Sequence, residues 1–106
     1  MTHKLFDWAD VIRSKNSGPY ELTFDVIFKT TEQFQQFADA NIITPAVFAK
    51  LYNISENNIK IIAFPPAKAI KITIPRPIAS GDLGETDVYG AQQHAPLLRF
   101  TFDFAV

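Results

Sequence analysis

A chain of 106 residues with ten Lys/Arg against eleven Asp/Glu and no cysteine has room for one hydrophobic core, since two domains would each be too small to bury one. The near-neutral balance excludes the basic stripe of a nucleic-acid binder, and the absence of thiols excludes a disulfide framework, a zinc–thiolate site and a cysteine nucleophile. No apolar run approaches the roughly 20 residues that span a bilayer, and the opening residues lack the apolar segment of a signal peptide. The expectation is a single cytoplasmic domain over residues 1–106, with no nucleic-acid and no membrane partner.

Residues 5–12 admit two readings. Leu5, Trp8, Ala9 and Ile12 have helical spacing, whereas Phe6, Trp8 and Ile12 could line a strand; the strand is preferred. From Glu21 to Lys29 the alternation is clear, with Leu22, Phe24, Val26 and Phe28 on one side and Glu21, Thr23, Asp25 and Lys29 on the other, the mark of a half-buried strand. Thr30 and Gln33 then have capping-box spacing, ahead of a helix with Phe34, Phe37 and Ala38 on one side. A second helix begins at Thr44 as N-cap, with Pro45 where a missing N–H matters least. Its apolar stripe is Val47, Phe48, Leu51 and Tyr52, and Asn53 is a plausible stop.

Further strands are expected at Ile59–Phe64, ended by Pro65-Pro66, and at Ile70–Ile74, ended by Pro75-Arg76-Pro77. A closing strand is expected to put Leu98, Phe100, Phe102 and Phe104 on one face and Arg99, Thr101 and Asp103 on the other. The order β-β-α-α-β-β-β predicts an α+β domain: an antiparallel sheet with two short helices on one face, ferredoxin-like in the broad sense. The other face, with Thr23, Asp25, Lys71, Thr73, Arg99, Thr101 and Asp103 and including Ile27, is free to meet a second copy or a partner, and a homo-oligomer is expected.

Two polar segments exceed what a fold requires. In the first, Arg13, Ser14, Lys15 and Asn16 precede Ser17-Gly18-Pro19, and cations beside backbone N–H groups suit a carboxylate or phosphate; a solvated connection is the plainer alternative. The second, residues 80–96, is long for a loop without structure of its own. It carries Asp87 and His94 as candidate acid/base groups, with Tyr89, Gln92 and Gln93 as candidate substrate or anion contacts. Asp82, Glu85 and Asp87 offer oxygen ligands but not in the spacing of an EF-hand loop, so no metal site is assigned, and no cofactor is indicated. His3 is expected to lie in a fraying end.

The stretches Leu-Phe-Asp-Trp-Ala-Asp-Val-Ile-Arg-Ser-Lys-Asn-Ser-Gly-Pro and Thr-Asp-Val-Tyr-Gly-Ala-Gln-Gln-His-Ala-Pro-Leu-Leu identify the chain as resembling an uncharacterised family of about 100 residues, classed as a domain of unknown function. Leu5–Ala9 with Arg13-Ser14 is also similar to the small ferredoxin-like C-terminal domain of AtuA-type acyclic-terpene-utilisation proteins. The likeness departs after Ser14, where the glycine and aspartate of that domain are missing, so only Arg13, Ser14 and loosely Lys15 correspond. This second resemblance implies an accessory subunit of a larger AtuA-type catabolic enzyme acting on acyl or hydroxy-acid substrates. The alternative is a stand-alone lyase or hydratase using His94 or Asp87, with Arg13 or Lys15 holding a substrate carboxylate.

Overall fold

The computed structural model describes residues 2–16, 21–75 and 95–104. Strand β1 (Thr2–Lys4) runs into a single helical turn, α1 (Leu5–Trp8), and then into β2 (Ala9–Asn16) and β3 (Glu21–Phe28). Helices α2 (Thr31–Asp39) and α3 (Pro45–Tyr52) follow, then β4 (Lys60–Phe64) and, after a 3₁₀ turn at Pro65–Ala67, β5 (Ala69–Pro75). The turn α4 (Ala95–Leu98) leads to β6 (Thr101–Asp103). The main sheet has four strands in the order β2-β3-β5-β4, and β1 with β6 forms a separate two-stranded sheet. All pairings are antiparallel, giving the α+β class that the alternating patterns predict.

The helices start and stop where their caps dictate. The Thr30 hydroxyl accepts from the Gln33 N–H at 3.0 Å, and the Thr44 hydroxyl from the Val47 N–H at 3.2 Å, satisfying donors that have no partner within the helix. Pro45 occupies the first turn of α3, and Asn53 ends it in the left-handed conformation at φ 54°, which asparagine tolerates better than most residues. Both helices pack on one side of the main sheet. Phe34 and Phe37 meet Phe28, while Phe48 and Tyr52 meet Phe24. Leu22, Val26, Ile70, Ile72 and Ile74 complete that buried side.

Four expectations are corrected. Residues 5–12 are neither one strand nor one helix: Leu5 and Trp8, three apart, turn inward as a helical turn, and extended backbone resumes at Ala9. Arg13–Asn16 belongs to β2, its backbone paired with Leu22–Asp25, so this part of the first polar segment is strand and not loop. The closing strand is shorter than its alternation suggests and lies outside the main sheet. Leu97, not Leu98, is buried, because the chain turns at Pro96, with the Phe100 N–H bonded to the Leu97 carbonyl. Arg99, Thr101 and Asp103 are therefore not on the open face of the main sheet. His3 does not fray either, since β1 pairs it with Phe102.

Candidate functional site

The antiparallel register fixes which side chains share the face away from the helices, because alternate residues of each strand point to opposite sides. Three rows cross the sheet in the order β2, β3, β5, β4. Val11, Ile27, Ala69 and Phe64 form an apolar row; Arg13, Asp25, Lys71 and Ile62 a charged one; Lys15, Thr23, Thr73 and Lys60 a polar one. Glu21 and Pro75 end the array. Of the apolar members of this face Ala69 is buried, Ile27 half-buried and Val11, Ile62 and Phe64 exposed, whereas Ile12, Ile61 and Ile70 on the reverse side belong to the main hydrophobic cluster or pack on it. None of the described helices packs on this face.

At its centre lies Asp25, only 3% exposed. The Arg13 Nε–H donates to Asp25 Oδ2 at 3.2 Å, and this is the ion pair found among the described residues. Asp25 Oδ1 is buried without a hydrogen-bond partner. A buried acceptor left unmade is unfavourable. Arg13 itself is largely exposed, and its terminal guanidinium nitrogens remain donors for a planar anion.

The predicted anion-binding residues thus divide between two sides of β2. Arg13 and Lys15 sit on the open face; Ser14, buried opposite Phe24, and Asn16 lie on the helix side. Sequence reasoning grouped all of them because a donor-rich run reads as a loop, and the period of the strand separates them. It passed over Asp25 as an ordinary polar residue. The available signal was an aspartate in mid-strand, where that residue is disfavoured. Asp87, Tyr89, Gln92, Gln93 and His94 lie outside the described residues, as do Asp82 and Glu85.

Elsewhere, a cavity of about 170 Å³ between α2 and the β4 side of the sheet is lined by Phe37, Ala38, Asn41, Ile43, Ile61, Ala63 and Ile70. A second, of about 220 Å³, is lined by Val47, Lys50, Leu51 and Phe100. Neither brings two acid/base groups together. His3 packs edge-on against Trp8 at 5.4 Å and beside Phe102 at 5.8 Å, with its Nε2 buried and unpartnered. Burial pushes the Tyr52 phenol well above its ordinary value, opposed by a hydrogen bond with the Leu97 backbone and by the charge of Arg99.

The model of one family, the domain of unknown function DUF4387, matches residues 5–101. The chain belongs to this family. The DUF4387 match takes in every residue of the open sheet face, while His3 and Phe102 fall outside it. No curated protein and no solved structure matches the chain. No helix among the described residues is long and apolar enough to cross a membrane, and none of their acidic or histidine side chains cluster as metal ligands would.

Proposed function

We propose that this chain is an accessory subunit of a two-component catabolic enzyme, docking through its open sheet face on a larger AtuA-type protein that acts on acyl or hydroxy-acid substrates. The observation that supports this reading is the buried, half-satisfied Asp25 at the centre of a face the described helices leave bare. A partner that covers the exposed Arg13 strengthens its pairing with the buried Asp25, and such central, desolvated positions dominate binding at interfaces. Around it the face carries four cations (Arg13, Lys15, Lys60, Lys71) against two carboxylates (Glu21, Asp25), on a chain whose net charge is −1. Its partner surface is therefore acidic at the rim and apolar at Val11, Ile27, Ile62 and Phe64. The AtuA identity of that partner rests on the resemblance of Leu5–Ser14.

The alternative, a stand-alone lyase or hydratase, depends on Asp87 and His94, and nothing in the described residues favours it. Mixing the purified chain with an AtuA-type protein tests the choice. Co-elution as one complex, with turnover of a hydroxy-acyl substrate only in the mixture and loss of both on Lys71→Glu with Lys15→Glu, is the expected result. Turnover by the chain alone, or separate elution of the two proteins, would overturn it.

A further inference from the structure

The two edges of the main sheet are built differently. Edge strand β2 carries Asp10, Arg13 and Lys15, and its pairing with β3 shifts register between Ala9 and Val11; charges and irregular pairing both discourage another strand from adding there. Edge strand β4 carries one charge, Lys60 at its start, and no irregular pairing. Its sequence is Lys-Ile-Ile-Ala-Phe, its pairing with β5 is regular throughout, and Ile62 and Phe64 are 59% and 45% exposed. Such an edge invites a strand.

We infer that β4 is the dimerisation edge of this protein, pairing antiparallel with β4 of a second copy about a two-fold axis at Ile62. The occupant follows from the strand itself. Centred on Ile62, self-pairing sets Ile62 against its own copy, Ile61 against Ala63 and Lys60 against Phe64, so no like charges face each other. Pro65 follows at once and donates no N–H, which confines the ladder to residues 60–64 and holds that register. Meeting through the open faces is the poorer symmetric choice, because each brings the same excess of cations.

A two-fold axis perpendicular to the sheet keeps the helices of both copies on one side. The two four-stranded sheets become one of eight, and the two open faces lie side by side. Ile61 and Ala63, which line the cavity beside α2, then pack beside their counterparts. This inference does not rest on the accessory-subunit reading, since it concerns the backbone edge of β4 and a different partner, although Ile62 and Phe64 border both surfaces.

Sedimentation velocity on the purified chain tests it. The wild type sediments at twice the chain mass. Ile62→Lys, which sets two ammonium groups opposite each other at the axis, weakens association at least tenfold and leaves the circular-dichroism spectrum of the folded chain unchanged. Ile62→Glu does the same alone, and mixing the two variants restores the doubled mass. Val11→Lys, near the other edge, leaves the dimer intact. A wild type at single-chain mass up to high concentration, a dimer indifferent to Ile62→Lys, or an Ile62→Lys/Ile62→Glu mixture that stays monomeric would each overturn the inference.

Discussion

Phe24 and Asp25 are neighbours on β3, both almost wholly out of solvent, and they have opposite effects. Phe24 points to the helix side, where its ring lies 5.2 Å from Phe48 and 5.1 Å from Tyr52; its burial removes apolar surface from water and stabilises the fold. Asp25 points to the other side, holds one guanidinium and leaves one oxygen unmade. Its desolvation opposes folding unless the pairing is complete. The comparison teaches that burial identifies a role only together with the partners of the buried atoms. Among the described residues, one side of the sheet is finished by the helices of the chain itself, and the other is the side on which docking is proposed.

The largest effect that tests this contrast is on the finished side. Phe24→Ala should cost about 3–5 kcal/mol, a large part of the stability of so small a domain, measured by denaturant unfolding. A loss below about 1 kcal/mol would mean that the helices do not depend on the sheet as described.

On the unfinished side, the two members of the ion pair should differ. Arg13→Ala strands a buried carboxylate and should cost about 1–2 kcal/mol, moderated by the exposure of the guanidinium. Asp25→Asn keeps the shape without the charge and should change stability by less than about 0.5 kcal/mol, while weakening the partner complex. Equal losses of stability would make the pair an ordinary strut of the fold.

The smallest effect sharpens the account of the covered side. Tyr52 stacks on Phe48 at 4.5 Å, and its phenol holds its proton more tightly in the folded chain than in the unfolded one. With the folded pKa raised, the contribution is fully present below the unfolded value near 10 and is lost as pH climbs above it. Between pH 10 and 11 this amounts to about 1 kcal/mol. Chemical melts across that range should fall less steeply for Tyr52→Phe than for the wild type; parallel slopes would show that the phenol is as easily ionised folded as unfolded.

What could be read from the chain beforehand was local. The alternation of Leu22–Phe28 and Ile70–Ile74 and the caps at Thr44 and Asn53 depend on neighbours within a few residues, and they hold. Residues 5–8 fit either period over so short a span, and only their packing decides. Leu98–Phe104 alternates well, but the turn at Pro96 displaces its start, and pairing with β1 rather than with the main sheet is a long-range fact. Asp25 follows the same logic. That it is polar was visible; that it is buried depends on the strands beside it.

The β1–β6 pair ties the order of folding to the order of synthesis. The Thr2 hydroxyl donates to Asp103 Oδ1 at 2.8 Å across a separation of 101 positions, and Trp8 meets Phe102 and Phe104 at 5.1 and 5.5 Å. Until residues 101–104 leave the ribosome, Trp8 lacks these two rings and β1 has no strand to join. Contacts of such separation form late and slowly. The small sheet is thus a latch that closes only after translation has passed Phe104.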